Sequence, residues 1–225
     1  MRERAQVKIP VSHGHLEAVL RDPGGTPRGG AVFCHPHPVQ GGTMHTKAVY
    51  RAAQAFLELG LRSLRFNFRG VGCSTGTFDD GIGEEEDVRA ALDWLELGGI
   101  RELPVVVGGL SFGSMVGMAV GVADPRVVAL VGMGTPIHVY DYSYLSDAGK
   151  PVLIIQGEWD EFGSADEVRQ VMGALGDHVT VEGIPGSGHL FEGHFQEVQT
   201  AIRKFFSEGS GARALAGALE KASGG

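Results

Sequence analysis

Val105-Val106-Val107-Gly108-Gly109-Leu110-Ser111-Phe112-Gly113-Ser114-Met115-Val116-Gly117-Met118-Ala119-Val120 is the stretch on which the fold turns. A β-branched apolar run of this kind suits a strand buried on both faces. The residues from Phe112 onward are apolar and small, and they suit a buried helix. Between the two stands one serine with a glycine two residues to either side. A strand that passes directly into a helix needs a sharp turn there, and side chains at the flanking positions would collide as the elements cross. The reading is therefore a strand over 104–108, a strained turn at Ser111 and a helix over 112–122.

The same alternation extends in both directions. Strands are predicted over 30–34, 61–68, 127–132, 151–156 and 178–181, and helices from Thr43 to Leu59, over 84–97, over 164–175 and over 190–206. Strands alternating with helices give a mostly parallel sheet with helices on both faces. Two period-two segments at the start, 6–11 and 15–20, read as a hairpin that adds an antiparallel edge. Between the strands at 127–132 and 151–156, residues 133–150 are too few for a cap domain. Residues 1–208 read as one domain, and 209–225 as a flexible or weakly helical tail with its helix over 212–222. The Leu215/Leu219 pair in that tail leaves a homodimer open.

Composition excludes several classes. At about 150 residues per domain, 225 residues suit one large domain. Glycine occupies 36 positions, well above the usual share of about 7%, but without a period of three. The net charge of −8 disfavours nucleic acid as a partner. No apolar run approaches the ~20 residues of a membrane helix, and the amino terminus does not read as a signal peptide. Two cysteines, Cys34 and Cys73, cannot form a disulfide framework; they read as free thiols of a cytoplasmic protein.

The pattern Gly-x-Ser-x-Gly occurs twice, at Gly109–Gly113 and at Gly72–Gly76. In so glycine-rich a chain the pattern alone decides little, and context must choose. Ser111 follows a strand and opens a helix, whereas Ser74 is followed by Thr-Gly-Thr-Phe-Asp-Asp-Gly, a loop. Ser111 is therefore the candidate nucleophile, and Ser74 a loop hydroxyl bonding nearby backbone. Gly70-Val71-Gly72 has a rival reading as a dinucleotide-binding turn, but no helix opens directly after it.

A serine hydroxyl needs a base in hydrogen-bond reach with a pKa near neutrality, which favours histidine. His189 lies in Gly186-Ser187-Gly188-His189, after the last predicted strand; His194, the rival, falls within the helix that follows. A carboxylate must orient the imidazole. Asp160 stands just past the strand 151–156, with Glu158 and Glu161 as neighbours in the running.

For a tetrahedral oxyanion, the first donor is the backbone N–H of Phe112 and the second the backbone N–H of His37. His37 lies in His35-Pro36-His37-Pro38, where the prolines stiffen the chain and leave that amide as the only interior donor. His35 is assigned to holding the loop. His13 and His15 repeat the spacing of a metal pair, without an evident third and fourth ligand. Glu84-Glu85-Glu86-Asp87 reads as the acidic first turn of a helix.

Taken together, these motifs resemble the α/β-hydrolase superfamily. Nearest is the small, lidless, dienelactone-hydrolase-like branch of serine hydrolases, through His35-Pro36-His37-Pro38-Val39-Gln40-Gly41-Gly42 and Asn67-Phe68-Arg69-Gly70-Val71-Gly72. The resemblance spans about residues 6 to 206. Ser111 stands where dienelactone hydrolases proper carry cysteine. It implies an α/β-hydrolase fold without a cap and a serine esterase acting on a small-molecule ester through Ser111, His189 and Asp160. No metal, organic cofactor or membrane partner is implied. Thioester or amide hydrolysis, and a noncatalytic binding role on the same fold, are the rival readings. Phe112, Tyr142, Phe162 and Phe191 are the aromatics expected to line the pocket.

Overall fold

In the computed structural model, which describes residues 5–100 and 102–223, eight strands form one sheet. They are β1 (Ala5–Val11), β2 (Gly14–Arg21), β3 (Gly30–Cys34), β4 (Arg62–Phe66), β5 (Val105–Leu110), β6 (Val127–Met133), β7 (Val152–Gly157) and β8 (Val179–Ile184). Their spatial order is β1-β2-β4-β3-β5-β6-β7-β8. The β1–β2 and β2–β4 pairs are antiparallel and all the others parallel. The antiparallel edge and parallel body follow the expectation.

Six helices pack around the sheet: α1 (Lys47–Glu58), α2 (Ile82–Leu95), α3 (Phe112–Ala123), α4 (Ala165–Gly173), α5 (Phe195–Ser207) and α6 (Ser210–Ser223). Period-two alternation along β5 divides the core. Val105 and Val107 join Val88, Leu92 and Val116 on one face, and Val106 and Leu110 join Phe56, Val131 and Ile202 on the other. Each layer removes a continuous apolar surface from water, at about 25 cal/mol per Å² buried.

Element ends differ from expectation where glycines intervene. α1 starts at Lys47, not Thr43: Pro38–Gln40 forms a 3₁₀ turn closed by Gly41 at φ 83°, and a second turn over 43–46, with the Thr46 N–H donating to the Thr43 carbonyl at 3.0 Å, precedes the helix. α5 starts at Phe195, not Leu190, because Phe191 at φ 57° and Gly193 at φ 82° cannot lie in a right-handed helix. β5 runs on to Leu110, since Gly109 and Leu110 pair with Gly132 and Met133 of β6. β4 ends at Phe66 and releases Asn67 and Phe68 into the following loop.

The carboxyl-terminal segment is a 14-residue helix, α6, which contains the expected helix over 212–222 and extends past it at both ends. It packs on α5 and β6, and its Leu215 is buried in the core. Between β6 and β7 the chain makes a turn over 137–139 and the 3₁₀ turn Ser143–Asp147, and none of the described residues forms a cap over the carboxyl ends of the strands. No helix among the described residues is long and apolar enough to cross a membrane.

Candidate active site

The central strand β5 delivers Ser111 to the carboxyl edge of the sheet. Its N–H donates to the Met133 carbonyl at 2.8 Å, so strand pairing continues one residue into the turn. The next residue already begins α3, and Ser111 is held at φ 55°, ψ −122°. A non-glycine residue in such a conformation is strained by about 1–3 kcal/mol and persists only where its surroundings impose it. Here they do. A Cβ on Gly109 would overlap the Gly113 carbonyl, and one on Gly113 would overlap the His35 carbonyl. The Ser114 hydroxyl, 3.0 Å from the Tyr142 hydroxyl, also donates to the Ser111 carbonyl at 2.6 Å.

The residues chosen from sequence converge. Ser111 Oγ lies 2.9 Å from His189 Nε2, and His189 Nδ1 lies 2.8 and 3.0 Å from the two oxygens of Asp160. A carboxylate only accepts, so Nδ1 carries the proton and Nε2 is left to accept from the serine hydroxyl. The Asp160 carboxylate is fully buried and receives two further neutral donors, Gln156 Nε2 at 2.9 Å and the Phe162 N–H at 2.9 Å. Gln156 is fastened in turn, its Oε1 accepting from the Thr135 N–H at 2.7 Å and the Thr135 hydroxyl at 2.8 Å. Sequence reasoning passed over Gln156. The available signal was a lone amide ending the apolar run Val152–Ile155.

The rivals have other partners. His194 is the residue before α5, not within it, and its ring faces Glu197 at 3.6 Å. Glu158 accepts from the Gly186 N–H at 2.7 Å and so steadies the histidine loop. The Ser74 hydroxyl donates to the Asn67 carbonyl at 2.7 Å and accepts from the Glu17 N–H at 2.9 Å.

His35 is buried. Its Nδ1–H donates to the Pro36 carbonyl at 2.6 Å, and Nε2 accepts from the Phe68 N–H at 3.0 Å. Burial depresses its pKa to about 4, partly opposed by the Pro36 bond. His37 follows, its carbonyl accepting from the Gln40 and Gly42 amides at 3.1 Å each. Its ring packs 5.1 Å from both Phe78 and Phe112. As the first residue of α3, Phe112 carries an amide for which the helix itself supplies no acceptor.

Ser111, His189, His37 and Pro36 open onto a cleft of about 380 Å³, which is lined also by Pro136, Val139, Tyr140, Glu161, Phe162 and Leu190. Of the four aromatics expected there, only Phe162 lines it. Phe112, Tyr142 and Phe191 are core residues. Burial drives the Tyr142 phenol pKa well above its ordinary value.

The other sequence candidates lie elsewhere. Cys34 is buried and Cys73 exposed, both as free thiols, and burial raises the Cys34 pKa. His13 faces Asp87 at 3.3 Å and Thr75 at 3.3 Å. The acidic turn is more than a dipole partner. Asp87 is fully buried against the Arg69 guanidinium, and Glu84 accepts from the Gly81 N–H at 2.8 Å.

A family model for an alpha/beta hydrolase domain matches residues 31–205. An uncharacterised protein of Rickettsia prowazekii is 36% identical over 183 residues, 78% of this chain and 77% of the relative. Among solved structures, an alpha-beta serine hydrolase homologue from Coxiella burnetii superposes with a TM-score of 0.84 at 32% identity, covering 90% of this chain and 97% of its own. A Xanthomonas campestris serine hydrolase without a lid gives 0.82 at 31%, covering 91% and 94%.

Proposed function

The chain belongs to this alpha/beta hydrolase family, and from that premise we propose that it is a serine carboxylesterase acting on small or short-chain esters. The observation that carries the proposal is the unbroken sequence of hydrogen bonds from Ser111 Oγ through His189 to Asp160, opening on a cleft.

In this mechanism Ser111 Oγ attacks the ester carbonyl as its proton passes to His189 Nε2. Asp160, held by Gln156 and the Phe162 amide, keeps the ring in the tautomer that can accept that proton and stabilises the imidazolium that forms. The Phe112 and His37 amides donate to the oxyanion, each worth about 3–4 kcal/mol of barrier. Collapse expels the alkoxide, which takes the proton from His189 and leaves an acyl group on Ser111. Water, deprotonated by the same imidazole, then attacks the acyl-enzyme. The acid leaves and the serine regains its proton.

The cleft supports the size of the substrate. Its 380 Å³ lies near the lower end of the range of about 300–1,000 Å³ for small-molecule sites. Pro36, Pro136, Val139 and Leu190 offer an acyl group an apolar wall. Two free thiols, one of them exposed, suit the reducing cytoplasm.

Labelling with a fluorophosphonate, followed by peptide mass spectrometry, tests the reading. The phosphonyl group is expected on Ser111, and Ser111→Ala is expected to lose both label and ester turnover. A folded wild-type protein that neither labels nor hydrolyses any member of a panel of esters, thioesters and anilides of one acyl group would overturn it.

A further inference from the structure

We propose that Glu161 makes the cleft selective for esters bearing a cationic amine or ammonium group near the scissile bond, and against esters bearing a carboxylate there. This rests on the reading of Ser111 as nucleophile. Among the described residues lining the cleft, Glu161 is the one charged side chain besides the histidine rings; neither lysine nor arginine lines it. No described residue forms a salt bridge with Glu161, so its charge is not already spent on a neighbour.

Three further observations agree in sign. Tyr140 and Phe162 line the same cleft, and the faces of such rings attract cations. The Tyr140 phenol has a raised pKa, first through burial and next through the Asp80 carboxylate, a shift of the same sign. The whole chain carries −8, which draws cations toward the molecule and repels anions. A substrate carboxylate entering the cleft would meet these charges with no cation to receive it, whereas an ammonium group would find a carboxylate and two aromatic rings.

The test uses 4-nitrophenyl esters of three acids of matched length: 4-(trimethylammonio)butanoic acid, 5,5-dimethylhexanoic acid and glutaric acid. Each kcat/KM is corrected for the enzyme-free rate and divided by the rate constant for attack of neutral imidazole on the same ester, which removes intrinsic reactivity without bringing in an ionic nucleophile. The cationic ester is expected to exceed the anionic one by about tenfold at low salt, the scale of one unit charge near a protein surface. Glu161→Gln should bring that ratio at least threefold closer to one, and Glu161→Lys should invert it. Raising salt from about 20 mM to about 500 mM should compress it.

A wild-type ratio within twofold of one, or a ratio that Glu161→Gln leaves unaltered, overturns the proposal. Binding of the same esters to Ser111→Ala, followed by calorimetry, separates it from the nucleophile reading. Failure of the wild type to hydrolyse any of the three breaks that reading, while the order of binding still reports charge selection. Binding without a cationic preference breaks the proposal alone.

Discussion

Two regions of this molecule are built from the same parts. Each has a Gly-x-Ser-x-Gly pentapeptide, a histidine and a fully buried aspartate bonded to that histidine. In one, Ser111 faces His189 and His189 faces Asp160. In the other, Ser74 stands in the loop that carries Thr75, His13 faces Asp87, and Asp87 is gripped by Arg69 Nε and Nη2 at 2.9–3.2 Å. The difference is in what else each group touches. Asp87 has its charge neutralised by a guanidinium, and the Ser74 hydroxyl is spent on two backbone groups. Asp160 is held by neutral donors, and the Ser111 hydroxyl points at an imidazole. The first arrangement fastens a loop; the second leaves a proton free to move.

Exchanging each aspartate for asparagine separates the two most sharply. Asp160→Asn would offer an amide N–H to His189 Nδ1, forcing the proton onto Nε2, where it blocks acceptance from Ser111. We expect kcat to fall by about 10³–10⁴-fold with little change in the unfolding midpoint. Asp87→Asn leaves the Arg69 guanidinium with only the exposed Glu86, and breaking a buried pair costs about 3–5 kcal/mol. Its folded fraction should still label at Ser111. Urea unfolding and steady-state kinetics on both variants check the contrast; comparable losses of kcat would erase it.

Much of this was legible because the deciding features are local. The turn at Ser111 needs a strand before it, a helix after it and small residues beside it, and all three stand within a dozen positions. The convergence of Asp160 and His189 on Ser111 was legible because each follows its strand end. Gln156, by contrast, is a strand residue whose role appears only once Thr135 and Asp160 are folded around it. The aromatic wall was misjudged for a similar reason. Phe112 turns inward against Phe68, Phe78 and His37, while Tyr140, on an irregular segment with no period to read, faces the cleft. Asp87 looked like one of four acids on an exposed turn because its partners, His13 and Arg69, lie far away in the chain. The carboxyl-terminal helix was legible over 212–222; that it reaches from Ser210 to Ser223 and buries Leu215 in the core appears only once α5 and β6 are folded beneath it.

His35 joins the two regions, since its Nε2 accepts from Phe68 while its backbone carries the chain toward His37. Its pKa of about 4, against an ordinary value of 6.5, means that the unfolded chain binds a proton in a range where the folded one does not. Stability is therefore complete above the unfolded value and is lost as pH falls from there toward 4. Integrating that difference gives a loss of about 2 kcal/mol between pH 7 and pH 5. Urea midpoints at the two pH values should show it, and His35→Gln should flatten that part of the profile. A wild-type midpoint that holds steady across the interval would remove His35 as the pH-sensitive tie.

The smallest expected effect belongs to the other serine. Ser74→Ala removes one hydroxyl and strands the Glu17 N–H and the Asn67 carbonyl that it joined. A buried group left unpaired costs about 1–3 kcal/mol, and the loop lies near enough to the surface for water to recover part of that. We expect a loss of about 1–2 kcal/mol in urea unfolding, with fluorophosphonate labelling at Ser111 proceeding at the wild-type rate. The same pentapeptide would then have lost about a kilocalorie of fastening at one site and all of its turnover at the other. A slowed label in Ser74→Ala would mean that the two regions are mechanically coupled through His35 and Phe68, and that the loop helps to hold the oxyanion donors in place.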